Sequence, residues 1–433
     1  STMEKTEKTE PETFVSSEKD PRPMEDGLVP LDQVPKGRWE RSWPTIACGA
    51  GLFSDGYLNG VIGQVNTMLG KIYGDAYSDS TASQNVSAIA FAGTVVGMLG
   101  GMLAALTAYR FFIGIGIGGE YPAGSVSCAE NTGELKEGHR NRWFIMFTNF
   151  QIDFAFVISA FVPMILCLIF TEDHLRAAWR MALGLGVIPP LSLLYLRLKL
   201  DEPEEFKREK MAKFPIWLII KFYWWRLSVV SLIWFVYDFS SYSFGLYSSQ
   251  FLTLILGDSP PLWKTFGWTT LIYLFYIPGS ALEHLQGIVG FIMSGCYEWL
   301  ATEKYMGAFI VVYGVFLALG EFGPGDNIGL CAAKTCATAI RGQYYSYAAA
   351  LGKIGAFVGT YVLPIAVKNA HTPVEKGQHP FFISSALCIF SAVVAFFLLP
   401  TINQDTITHE DERFRAYLEE HGYDTTSMGV SAN

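Results

Sequence analysis

Charge is scarce in this chain. Only 16% of its 433 residues are Asp, Glu, Lys or Arg, and 51% are hydrophobic; an average soluble domain carries about 25% charged residues. A large water-soluble core is disfavoured and a polytopic membrane protein is expected. Histidine is missing where it would matter: of seven, only His284 adjoins an apolar segment. Proton chemistry inside a membrane therefore falls to Asp and Glu. None of the seven cysteines has metal-ligand spacing, and Cys331 and Cys336 are five apart with no histidine near. Buried structural thiols are expected, not a disulfide framework or a metal site. No basic stripe points to nucleic acid, and much of the acid behind the net charge of −9 sits in the tails. A nucleophile–base arrangement is lacking, so an enzyme is not expected. The glycine run "GIGIGG" at 114–119 is no nucleotide loop, because no strand precedes it.

What is present is apolar sequence in long runs, near 43–63, 86–100, 102–128, 143–170, 179–197, 226–256, 266–282, 286–301, 306–338, 344–367 and 380–400. Between 199 and 215 the hydrophilic "KLDEPEEFKREKMAKFP" separates two helical halves. The expected organisation is a disordered cytoplasmic tail over 1–40, lacking the apolar core of a signal peptide, and a first bundle over 41–198. A cytoplasmic loop with an amphipathic surface segment follows over 199–225, then a second bundle over 226–402 and a cytoplasmic tail over 403–433 with a short helix around "HEDERFRAYLEEHG". Basic residues Lys36, Arg38, Arg41, Lys136, Arg140, Arg142, the cluster at 207–213 and Arg341 are consistent with both termini cytoplasmic.

That arrangement needs an even number of spans, and eleven are visible. The run 86–100 is short: its residues reach roughly 22 Å against a hydrocarbon core of ~30 Å. A similar defect lies at "GSALEHLQG", residues 279–287. We expect that residues are missing from the chain at both places.

Acids and amides inside the apolar runs are the candidate functional residues, since an intramembrane carboxylate is costly and marks a site by default. Glu120 and Tyr121 sit in "FFIGIGIGGEYPAGS"; the alternative is a helix end at the headgroup level. Trp234, Asp238 and Tyr242 follow i, i+4, i+8 on one helix face; the alternative is an aromatic packing stripe. Asp55 lies in "LFSDGYLNG", where Gly49, Gly51 and Gly56 weaken the helix, and a kinked structural role is the alternative. Asn149 and Asp153 share a face, whereas Gln151 points elsewhere unless the helix unwinds; interhelical hydrogen bonding is the plain reading of all three. Lys353 in "AAALGKIGAF" lies among small residues, able to attract an anion or to pair with an acid and hold helices together. Asp326 follows the break "FGPG".

The motif of Arg110, Gly114, Gly116 and Gly118 resembles the fourth-helix signature of the major facilitator superfamily, and "GGEYPAGS" is similar to its fungal phosphate:proton branch. "RNRWFIMFTNFQIDFAF" and "EFGPGDNIGL…ATAIRG" resemble the fungal glycerophosphodiester permeases, which import glycerophosphoinositol and glycerophosphocholine. The resemblance, spanning about 40–420, implies an all-α fold of 12 transmembrane helices in two six-helix bundles, the third helix incomplete here. The superfamily's signature G-x-x-x-D-[RK]-x-G-[RK] is absent at both short places. By resemblance, Asp55, Glu120 and Asp238 are proton-coupling acids. The expected substrate-binding set is Tyr121, Asn149, Gln151, Asp153, Trp234, Asp238 and Tyr242, with Asp326 and Lys353 added from their own positions in the apolar runs. No cofactor beyond the proton is implied. The expected partners are a small anionic phosphodiester and the lipid bilayer, with the chain a monomer in the plasma membrane. An inorganic phosphate:proton symporter and a non-transporting nutrient sensor are the competing readings.

Overall fold

The computed structural model describes residues 38–74, 77, 85–86, 110–115, 117–118, 124–129, 140–191, 209, 211, 214–256, 260–277, 286–320, 325–399 and 406–428. Glu120 and Tyr121, the stretch around residue 100 and the junction at 279–285 lie outside them. The main helices are α1 (Arg38–Tyr73), α2 (Arg140–Phe147), α3 (Asn149–Phe170), α4 (Leu175–Leu185), α5 (Ile216–Leu256), α6 (Leu262–Leu274), α7 (Gln286–Gly295), α8 (Met306–Gly320), α9 (Asp326–Lys334), α10 (Arg341–Lys368), α11 (Pro373–Leu398) and α12 (Thr406–Glu420). No β-strand occurs among the described residues. Among the described residues, four helical stretches are long and apolar enough to cross a bilayer: Trp143–Phe170, Ile216–Ser249, Thr338–Lys368 and Val374–Leu398. Their outer faces carry exposed Phe161, Ile169, Leu232, Ile365, Phe390 and Phe396, as expected where lipid replaces water as the solvent.

Several boundaries differ from the apolar runs. Helix α1 is unbroken through Gly49, Gly51 and Gly56, so the expected weakening at Asp55 does not take the form of a break. Residues 216–225 are the first turns of α5 and not a separate surface segment. At 41 residues that helix is roughly 60 Å long, about twice the ~30 Å hydrocarbon thickness. The run 306–338 is divided between α8 and α9, and 286–301 breaks after Gly295.

Packing is most extensive between α5 and α10 and between α1 and α3. Helices α5 and α10 approach so closely that a Cβ on Gly355 would collide with the carbonyl of Phe235. The two halves meet where α1 crosses α5: a Cβ on Gly63 would lie 2.6 Å from the carbonyl oxygen of Leu246. One turn further, the hydroxyls of Thr67 and Ser249 are 2.8 Å apart.

Beyond that crossing lies the distal end, where Glu172 ties three elements together. It forms an ion pair with Lys71 near the end of α1 and accepts the Leu262 N–H at the start of α6 at 2.7 Å. Leu262 is the first residue of its helix, so this amide has no partner within the helix, and a carboxylate satisfies both the donor and the local dipole. Partial burial pushes the Glu172 carboxyl up, but the Lys71 and Leu262 hydrogen bonds and the Lys71 charge outweigh it and hold it below the usual glutamate value. Tyr361 of α10 adds a hydrogen bond to Asn85 of the first half.

At the opposite, proximal end α12 docks on the second half. Phe414 and Leu418 are buried against Met211, Tyr223, Ile340 and Tyr344; each such side chain stabilises by about 1.5–3 kcal/mol. Glu410 pairs with Arg226 at 2.8 Å and accepts from Tyr223 at 3.1 Å. Asp411 accepts the Thr338 N–H at 2.5 Å and its hydroxyl at 2.7 Å, with burial raising its carboxyl. Arg415 reaches Glu209 in the linker at 2.9 Å.

Candidate functional site

A small cavity of about 30 Å³ lies between α3 and α5. Asn149, Ile152, Asp153 and Phe156 form one wall, and their spacing puts them on one stripe of α3. Trp234, Tyr237, Asp238, Ser241 and Tyr242 form the facing wall, again one helical stripe at i, i+3, i+4, i+7, i+8. Tyr276 and Gly325 close it. The amide of Asn149 donates to the carbonyl of Gly325 at 2.6 Å, a bond from the first half to the second.

Sequence spacing explains which residues meet. The helix is distorted at Thr148, whose φ and ψ are −110° and −84° and whose hydroxyl bonds back to Phe144, but its backbone hydrogen bonds continue through that residue. Helix α3 is regular from 149 to 153, so Gln151 cannot join its neighbours. Its side chain lies against α1 instead, its Cγ 3.0 Å from where a Cβ on Gly49 would be. Of the substrate set, Asn149, Asp153, Trp234, Asp238 and Tyr242 line the cavity. The side chain of Asp326 lies outside the described residues, although its backbone begins α9.

Lys353 enters from α10. Its Nζ stands 3.4 Å from Oδ2 of Asp238 and donates to the Tyr242 hydroxyl at 2.5 Å, 3.9 Å from that ring's centroid. Asp238 is 1% exposed, and so is Asp55. The Trp234 indole N–H also serves Asp238. Asp55 accepts from Asn59 at 2.5 Å, while its second oxygen has no hydrogen-bond partner among the described residues. It lies in electrostatic range of Lys353, Arg110 and Asp238. Arg110 is buried, with Nη1 donating to the Leu58 carbonyl at 2.6 Å. Asp55, Asp238 and Arg110, all buried, and the partly buried Lys353 are thus one charge group drawn from both halves.

Sequence reasoning passed over Phe156, Tyr237, Ser241 and Tyr276. Extending the i, i+3, i+4 stripe from Trp234 would have found Tyr237 and Ser241. Extending the Asn149–Asp153 stripe would have found Phe156. Tyr276 had no signal, because it arrives from another helix.

A helical bundle with buried charges at its centre and apolar faces outside is the architecture of a membrane carrier. The chain belongs to the family of sugar (and other) transporters, whose pattern matches residues 58–213 and 284–414. It is 47% identical to a glycerophosphocholine permease of Candida albicans, covering 90% of this chain and 84% of the relative. It is 48% identical to the major glycerophosphoinositol permease of the same organism, over 89% and 84%. Each alignment runs over 453 positions, more than the 433 residues of this chain, so positions of these relatives face no residue here. Among solved structures, the major facilitator superfamily proton:xylose symporter XylE superposes with a TM-score of 0.67 over 86% of this chain and 99% of its own. At 14% identity that likeness establishes the fold.

Proposed function

We propose that the chain is a proton-coupled symporter that imports glycerophosphodiesters across the plasma membrane, as a monomer with both termini cytoplasmic. The proximal end then faces the cytoplasm. The two halves rock about the cavity in alternating access. The observation that carries this reading is Lys353, a single ammonium shared between Asp238 and the Tyr242 hydroxyl at the edge of an aromatic-walled cavity. The near-equal identity to two glycerophosphodiester permeases supports the substrate class.

The chemistry follows from competition for that ammonium. A phosphodiester is a permanent monoanion. When its phosphate takes Lys353, Asp238 loses its cation and gains an anionic neighbour. Both changes favour the neutral acid. Proton and substrate therefore promote each other's binding, which is positive coupling. Asp55, reached by the same charge group, is a second acid through which the proton passes, and Glu120 a third; no cofactor besides the proton is required. Moving a monoanion inward against an inside-negative potential costs about 2.3 kcal/mol per 100 mV, and one proton per cycle removes that cost.

Uptake in a fungal cell lacking its own diester transport tests this. Saturable, acid-stimulated accumulation of labelled glycerophosphoinositol or glycerophosphocholine is expected, undiminished by excess inorganic phosphate. Accumulation of phosphate alone, or none of the three despite surface expression, would overturn it.

A further inference from the structure

Asn59 is ill suited to its place. It lies inside α1 and is 2% exposed, where asparagine weakens a helix and a buried amide needs partners. A leucine of similar volume would meet both demands better. Half of the amide is satisfied: Nδ2 donates to Oδ1 of Asp55 at 2.5 Å, one turn back on the same face. The other half is not, since Oδ1 of Asn59 has no hydrogen-bond partner among the described residues. Packing therefore does not account for Asn59, whereas its bond to a buried acid does.

The neighbouring cations leave Asp55 without direct contact. Arg110 directs Nη1 to the Leu58 carbonyl at 2.6 Å, and its Nε and Nη2 have no hydrogen-bond partner among the described residues. Lys353 stands on Asp238 and Tyr242. Both cations act on Asp55 through space, as does the charge of Asp238. Helix α3 meets this part of α1 through Ile152, Ala155, Phe156 and Ser159, and the end of α4 meets it through Ala182 and Gly186, all uncharged. Among the described residues, Asn59 is thus the one direct donor to Asp55, whose Oδ2 is left without a partner.

We propose that Asn59 is a positioning residue for Asp55. It holds Oδ1, leaves Oδ2 as the oxygen that takes and releases the proton, and sets the pH at which this happens. The inference rests on the proton-coupled reading above. A donor held on a carboxylate favours the ionised form. Asn59 thereby keeps Asp55 able to give up its proton on the cytoplasmic side. Without that donor the neutral acid is favoured, and protonation persists to higher pH.

The test is the pH profile of diester uptake by the full chain in the same transport-deficient cell. Two variants separate the donor from the volume. Asn59→Leu keeps the volume. Asn59→Ser reduces it, with a hydroxyl that turns back to the backbone carbonyl one turn earlier and not to the carboxylate. Both lose the donor, so both are expected to move the half-maximal pH of uptake upward by about one unit, the range of a hydrogen bond to a charged group. Infrared difference titration of the purified protein assigns the shift to Asp55, whose carboxyl band is identified by its loss in Asp55→Asn. There too the midpoint is expected about one unit higher in both variants, including one too impaired to transport. An unmoved midpoint in either measurement, or shifts of opposite sign in the two variants, would overturn the inference. Wild-type uptake indifferent to external pH would instead overturn the proton-coupled reading, a result distinct from a midpoint that Asn59 does not move.

Discussion

Asp238 is 1% exposed and has one ammonium, that of Lys353, at 3.4 Å. A buried carboxylate in that position is tolerable only while paired, and in the proposed cycle substrate binding removes the pairing. Asp238→Asn fixes the neutral state. It is expected to abolish uphill accumulation, the inside-to-outside ratio falling to about one, while counterflow exchange of labelled for unlabelled diester continues. Uphill accumulation by this variant would remove Asp238 from the coupling. Asp238 and its flanking aromatics were legible because an acid inside an apolar run is conspicuous and i+4 spacing fixes their common face. The partnership with Lys353 was not, since 115 positions separate the two residues and only the α5–α10 crossing joins them. Phe156 and Tyr276 were invisible for another reason: in a sequence with 32 Phe and 21 Tyr, nothing marks which rings line a cavity and which face lipid.

The α5–α10 crossing positions the site, and its closeness depends on hydrogen in place of a side chain. Gly355 lies against the Phe235 backbone, and Gly352 would put a Cβ 2.5 Å from Cδ1 of Trp234. Since the first of these contacts is backbone, no side chain can swing aside to admit a methyl. Gly355→Ala is expected to cost about 1–3 kcal/mol by overpacking, read as a lowered Tm in detergent, and to weaken substrate binding by shifting Lys353 away from Asp238. An unchanged Tm would mean that the helices slide apart freely. Element type was plain throughout because the apolar runs are long. Boundaries were not. Arg226 and Lys221 mark a polar interruption in the sequence, yet α5 runs straight through them, held by Tyr223 and Arg226 bonding to Glu410 of the distant α12.

Between the halves, the distal end is closed by Glu172 bridging Lys71 and the start of α6, above the contact of Thr67 with Ser249. Because the closed form holds this carboxyl below its usual value, opening is accompanied by proton uptake as the medium becomes acidic. The latch is therefore at full strength above the ordinary glutamate range and weakens as pH falls through the lowered value. With cysteine at position 249 as reporter, Glu172→Gln is expected to quicken labelling by an impermeant maleimide about two- to fivefold at neutral pH, the range of a partly exposed ion pair, and to flatten its acid dependence. Equal labelling with and without Glu172 would show that the α1–α5 crossing alone keeps this end shut. The latch was unreadable in advance: Glu172 and Lys71 are hydrophilic residues outside the apolar runs, and only the folded chain brings them to one helix start. At the proximal end the halves also pack together, Phe144 sharing one buried cluster with Ile328 and Tyr345, and α12 adds a brace within the second half. Since α12 grips Tyr223, Arg226, Thr338 and, through Arg415, the linker residue Glu209, the last helix travels as ballast on the second bundle. A fluorophore at the exposed His421, one residue past the end of α12, becomes a pointer whose swing, measured against a mark on α3, tests the proposed rocking without touching the permeation path.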